Sequence, residues 1–201
     1  EKNTKQQKIK ELETYVQDRI KYISDNEDCN YLNFDDVLKY VKKKNKYRAS
    51  DGKVSGIYRF YTSSQDKILY RDDYEFEENH ILIGRGGMAS LHISSRFSVS
   101  YDDVYVLTTK KAEYNLIYIY NYIKTNLELI ANSFKGSTIK HSSKTALSKL
   151  KIPIPKNKQL IADLEPTFKE IEKLQNEVKV AEQLYKQYIK ELSEEAIPPH
   201  L

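Results

Sequence analysis

Two prolines followed by a seven-residue repeat constrain this chain more than any other feature. Ile152-Pro-Ile-Pro155 is read as extended, because a residue ahead of proline is pushed out of the α region. Beyond it, Leu164, Ile171, Val178, Tyr185 and Leu192 hold one position of the repeat, and Leu174, Ala181 and Tyr188 hold the other. That spacing predicts a long helix with a coiled-coil seam, and a seam requires a partner helix. Residues 5 to 24 predict a second helix long enough to lie against it, with Ile9, Leu12, Val16, Ile20 and Ile23 three and four apart.

The middle of the chain has a different period. Asn33 is placed to cap a short helix through Phe34, Val37, Leu38 and Val41. From Ile57 the runs shorten and turn β-like: 57–61, 67–70, 80–83, 92–93, 97–99 and 104–107, separated by Ser, Gly and Asp. Many short strands with non-local pairing predict a curled, barrel-like sheet rather than a βαβ layer. Residues 113 to 132 return to helical spacing, with Leu116, Ile117, Tyr120, Ile123, Leu127 and Ile130 on one face, which suits a helix packed on that sheet. The expected class is therefore α+β: an N-terminal helix at 1–27, a β-rich domain at 28–151 with a packed helix, and a long helix with its tail at 152–201.

Composition narrows the function. The 201 residues are 39% hydrophobic and 31% charged, which suits one domain with a core plus a solvated helix. No apolar run approaches the ~20 residues of a bilayer crossing, so no membrane partner is expected. The single cysteine, Cys29, excludes a disulfide scaffold and multi-cysteine zinc sites, and a reducing cytoplasm is the simplest compartment. The chain opens on Glu1 rather than methionine, so it is read as a piece of something longer or as a self-sufficient half.

The net charge of +4 is modest, but its surplus is local. Residues 39 to 59 carry eight basic side chains and only Asp51 as an acid, and residues 135 to 151 carry five lysines and no acid. Such runs suit a polyanion, and they equally suit a solvated face. Gly84-Arg-Gly-Gly87 follows a strand but matches neither a Walker loop nor a dinucleotide loop, so a tight turn is expected there. The acidic run Asp72–Glu78 lacks the pattern of a nuclease metal site, and the four histidines lack ligand spacing. The chain is expected to have no active site, metal or cofactor of its own.

The order of the pieces resembles the target recognition domain and spacer helix of a type I restriction-modification specificity subunit. The resemblance spans residues 31 to 192. It rests on Leu32-Asn-Phe-Asp-Asp-Val37, Tyr58-Arg-Phe-Tyr-Thr-Ser-Ser64, Tyr74 with Ile81-Leu-Ile-Gly-Arg-Gly-Gly87, a tyrosine-rich helix, Gly136-Ser-Thr-Ile-Lys-His-Ser-Ser-Lys-Thr-Ala-Leu147, and Ile152-Pro-Ile-Pro155 leading into the heptads. The chain departs from the family at Thr62-Ser-Ser-Gln65, where family loops usually carry more glycine. The resemblance implies a non-catalytic DNA-recognition component that reads one half of a split duplex target. Its helix would dock a DNA adenine methyltransferase subunit or domain, with a restriction subunit as a further partner. S-adenosylmethionine would belong to the methyltransferase.

On that reading Lys43, Lys44, Lys46, Arg48, Lys135, Lys140 and Lys144 neutralise phosphates. Gln65, Arg85, His92, Ser137, Thr138 and His141 offer donors and acceptors to base edges, with Tyr61, Thr62, Ser63 and Ser64 in the adjoining loop. For Arg85 the alternative is a surface ion pair with the acidic run. The seam residues Leu164, Ile171, Leu174, Val178, Ala181, Tyr185, Tyr188 and Leu192 would form an antiparallel coiled coil that separates two half-sites, spanning about 50 Å from 157 to 192 at ~1.5 Å per residue. Two arrangements fit: a homodimer through this helix, or the C-terminal part of a larger specificity or methyltransferase-fused chain. A different class also fits, a coiled-coil dimerising module without DNA specificity.

Overall fold

The computed structural model describes residues 2–132, 134–135 and 141–195, with 134–135, 141–142 and 194–195 given by backbone alone. The chain divides into two compact units, one of residues up to Arg19 with those from Gln159, the other of Ile20–Lys158. The boundary falls within α1 (Lys2–Asn26).

The larger unit is built on open sheets. Strands β2 (Leu38–Tyr40), β5 (His80–Gly84), β6 (Leu91–Ser94) and β8 (Val104–Thr109) pair in the order β2-β8-β5-β6, all antiparallel. A second sheet joins β3 (Tyr58–Tyr61) to β4 (Leu69–Arg71) antiparallel and to β7 (Phe97–Val99) parallel. Leu82 of β5 meets Phe97 and Val99 of β7, Tyr61 of β3, and Val104 and Val106 of β8 in one buried cluster with Phe76. Because alternate residues of a strand face opposite ways, Ile81 and Ile83 are left for the other side, where they too are fully buried. Helix α3 (Leu116–Thr125) packs against β5 and β6 and buries Tyr118, Ile119 and Ile123. A central strand covered on both faces accounts for the unbroken Ile-Leu-Ile run.

Several expectations shift in detail. The helix expected at 34–41 is α2 (Phe34–Val37) only, because Leu38–Tyr40 pairs with β8 instead. Asn33 precedes it, but its amide bonds to Asp36 Oδ2 at 2.8 Å rather than capping the backbone. The apolar stretch 113–132 divides into α3 and α4 (Glu128–Ala131) at Asn126, whose backbone leaves the helical region. The extended Ile-Pro-Ile-Pro segment is strand β11 (Lys151–Pro155), paired antiparallel with β1 (Cys29–Asn33) from Cys29↔Pro155 to Asn33↔Lys151. The buried Tyr118 hydroxyl fastens this clasp, donating to the Pro153 carbonyl at 2.9 Å. Short ladders β9 (Phe134–Lys135) with β10 (His141–Ser142), and helix α5 (Lys144–Leu147), precede it.

The smaller unit is helical. After α6 (Gln159–Ala162), helix α7 runs from Glu165 to Glu195. Lys2, Lys5 and Lys8 of α1 pair with Glu182, Glu177 and Glu170 at 2.9, 3.0 and 3.1 Å, so the two helices run antiparallel. Val16, Leu164, Phe168 and Leu174 are buried in this unit.

Candidate nucleic-acid interface

The loop end of the β5–β6 hairpin gathers side chains from four distant segments. Gly84 closes β5 with its N–H on Ser90 O at 3.1 Å, and the Arg85 N–H continues to Asp103 O at 2.8 Å. Ser90, fully buried, donates its hydroxyl to Ser63 O at 3.0 Å, and Gln65 Oε1 accepts from Leu91 N at 3.0 Å. The 62–67 loop is thus fastened to the hairpin. Gly84 is required there, because a Cβ would stand 2.8 Å from the Ser63 carbonyl.

Arg85 does not reach the acidic run. Its Nη1 donates to Asp102 O at 2.8 Å and its guanidinium lies over the Tyr105 ring, 4.8 Å from the centroid. Tyr105 also meets Tyr40 edge-on at 5.3 Å, and Lys144 stands over Tyr40 at 4.3 Å and over Tyr105 at 5.8 Å. Lys43 joins from the next turn, donating to the carbonyls of Tyr101 and of Val104, the latter at 2.7 Å. Burial first, and the Arg85 charge second, push its ammonium down to about 8. Arg85 and Lys144 therefore converge on two tyrosines at one end of the sheet, with Lys43, over the Tyr101 ring, close enough to feel the Arg85 charge. A face that holds like charges together in this way is matched by a polyanion, which removes their mutual repulsion.

The acidic run has a structural use instead. Lys53 pairs with Asp72 at 2.8 Å, Arg71 with Asp73 at 2.7 Å, and Glu75 accepts from the backbone N–H groups of Lys44 and Asn45. It holds the basic 42–48 segment in place, leaving the Lys44, Lys46 and Arg48 side chains exposed. Among the described residues no group of three or more His, Cys, Asp or Glu could hold a metal ion.

The remaining sequence-predicted residues divide clearly. Tyr61 belongs to the core, 8% exposed, and Thr62 is buried beside it. The Tyr61 ring supports His92 at 4.9 Å and Arg59 at 5.2 Å, and burial, then the Arg59 charge, hold the His92 ring below its ordinary pKa. Ser64 Oγ accepts from Lys67 N at 3.1 Å, which shapes the loop. Ser137, Thr138 and Lys140, and the side chains of Lys135 and His141, lie outside the described residues.

Sequence reasoning did not find Tyr40 or Tyr105 as site residues, and Tyr105 is itself buried, 8% exposed. The available signal was strand pairing: Tyr40 opposes Leu107, so Tyr105 is its diagonal neighbour on the same face. Leu164, just ahead of α7, and Leu174 within it are buried, Ile171 and Val178 half-buried, and Ala181, Tyr185, Tyr188 and Leu192 exposed. Buried Phe168, four residues after Leu164, lies outside the predicted seam.

The chain thus combines open sheets that end in a cationic loop cluster with a 31-residue helix, the make-up of a binding module. The chain belongs to the family of the type I restriction modification DNA specificity domain, which matches residues 26–181. Its fold is similar to that of the type I restriction-modification S subunit of M. genitalium, at 20% identity and a TM-score of 0.62, over 84% of this chain and 46% of that one. It is also similar to the HsdS subunit of Thermoanaerobacter tengcongensis, at 14% identity and a TM-score of 0.50, over 90% of this chain and 51% of that one. The chain thus spans about half the length of these solved subunits. A comparison with curated proteins finds no match. No helix among the described residues is long and apolar enough to cross a membrane.

Proposed function

We propose that this chain reads one half of a split duplex DNA target for a type I-like restriction-modification system. The observation that carries this reading is the convergence of Lys43, Arg85 and Lys144 with the fastened 62–67 loop at one end of the β5–β6 hairpin. Lys144, Lys44, Lys46 and Arg48 set the phosphate register, and Lys43 keeps one N–H of its three for the same purpose. Arg85 is pre-oriented by Asp102 O and Tyr105, and with its Nε buried, the outer N–H groups of its two terminal nitrogens are the donors that suit the O6 and N7 of a guanine. The recognition domain is 28–151, with Lys135, Ser137, Thr138, Lys140 and His141 assigned to DNA contact as well. Helix α7, within the 152–201 segment, docks the adenine methyltransferase, which supplies the chemistry and holds S-adenosylmethionine, with a restriction subunit joining the complex in the cytoplasm.

The exposed apolar residues of α7 favour a second element, pairing of two copies. Tyr185, Tyr188 and Leu192 are solvated although they continue the heptad pattern, and Leu184 and Ile189 beside them are exposed too. Pairing through them would bring two recognition domains into one particle.

The test is capture of the chain's complex from host lysate and selection on a randomised duplex library with S-adenosylmethionine. Adenine methylation within a split motif is the expected result, and Arg85→Ala is expected to lose one guanine column, a factor of about 10 to 100 at that position. Lys144→Ala weakens binding to all sequences and lowers the salt slope by about one. A complex that selects no sequence overturns the proposal in favour of a helix-pairing module without DNA specificity.

A further inference from the structure

The tip of the same hairpin carries the only methionine of the chain. Met88 is 77% exposed, at the end of Arg85-Gly-Gly-Met-Ala-Ser90, on a loop whose base is tied down. The ties are Gly84 to Ser90, Arg85 to Asp103 and Ser90 to Ser63. Gly87 takes a left-handed turn at φ 79°, with open space where a side chain would be. The loop therefore presents one long apolar side chain from a fixed base. It has little apolar surface besides: its neighbours are two glycines, Ala89 and buried Ser90. This is too small for a protein-docking patch, which needs a contiguous apolar area of several hundred Å².

A single apolar group three residues from a forked cation matches a surface that is polar except for isolated methyl groups. The major groove is such a surface, because the guanine edge offers two acceptors to Arg85 while a pyrimidine 5-methyl offers an apolar knob. A flexible thioether adapts to such a knob. We propose that Met88 is a specificity-determining residue that packs on a pyrimidine 5-methyl group beside the base pair taken by Arg85. The inference rests on the DNA-reading proposal above.

The experiment uses the captured complex and three randomised duplex libraries, made with thymidine, with deoxyuridine in its place, and with deoxyuridine plus 5-methyldeoxycytidine. The wild-type chain is expected to favour thymine over uracil about fourfold at one column of the motif, as one buried methyl would give. In the third library that column shifts to 5-methylcytosine if the methyl alone is read, and stays flat if thymine is required as a base. Met88→Ala is expected to flatten the column in all libraries, while Met88→Leu keeps the preference. Met88 is solvated, so both variants should unfold at the wild-type temperature. Identical motifs from the thymine and uracil libraries, or an unchanged preference in Met88→Ala, overturn the inference while leaving the DNA reading intact. A wild-type complex that selects nothing overturns the DNA reading itself, and this inference with it.

Discussion

The sheet body and the helix pair are held together by different means. In the body, Ile81, Leu82, Ile83, Phe97 and Leu107 lose all contact with water, and each such burial is worth about 1.5–3 kcal/mol. In the helix pair few side chains are as deeply buried, and the ion pairs along its flank are half-solvated. Exposed pairs of that kind contribute about 0–1 kcal/mol each and are screened by salt. The body is a finished core, whereas the helix pair keeps apolar surface uncovered towards Leu192. The difference suits the two tasks proposed above: a finished core holds site residues in fixed places, and uncovered apolar surface on the helices leaves room for a partner.

The comparison breaks most directly at Leu82. Leu82→Ala opens a cavity between the two sheets and is expected to cost about 3–4 kcal/mol in urea unfolding. Leu174→Ala, at a site 6% exposed, should cost less, and equal costs would show that the helix pair is as finished as the body. Gly84→Ala forces the hairpin from the 62–67 loop, an expected loss of about 1–3 kcal/mol together with weakened DNA selection.

Lys43→Met is expected to cost about 1–3 kcal/mol, because the carbonyls of Tyr101 and Val104 lose their donor. It also has a pH signature. Lys43 releases its proton near 8 in the folded chain but near 10.5 when unfolded, so the unfolded state binds more protons between those values. Stability from this group should therefore rise as pH climbs from about 8 to about 10.5, and the rise should vanish in Lys43→Met. Smallest of all, Lys5→Ala and Lys8→Ala should each change stability by less than about 1 kcal/mol, and by less still at high salt. A larger effect would mean that these pairs, and not the apolar contacts, hold the helices together.

Much of this was legible from periodicity. The 3.6-residue spacing located α1 and α7, and the short β-type runs located β3 to β8, because each signal lies within a few neighbouring residues. The β1–β11 clasp was not legible as a pair: Cys29–Asn33 carries no alternation, two prolines argue against a strand, and the partners lie more than a hundred residues apart. The site was legible in its cations and not in its platform. Arg85 and Lys144 stand out by charge, but Tyr40 becomes their support only once β2 is known to pair with β8. Phe168 was missed for a related reason, since a strict heptad seam is narrower than the stripe a helix buries.

The clasp has a further consequence. Since Cys29 and Pro155 face each other in the ladder, the chain leaves the body beside the point where it came in. Everything between them is a closed excursion, about 125 residues long, that returns to its origin. A stretch of different length or content, ending in the same two strands, would meet the flanking chain at the same spacing. The geometry therefore makes the body between these strands exchangeable: on the reading proposed above, the bases recognised could change without redrawing the two strands that close it.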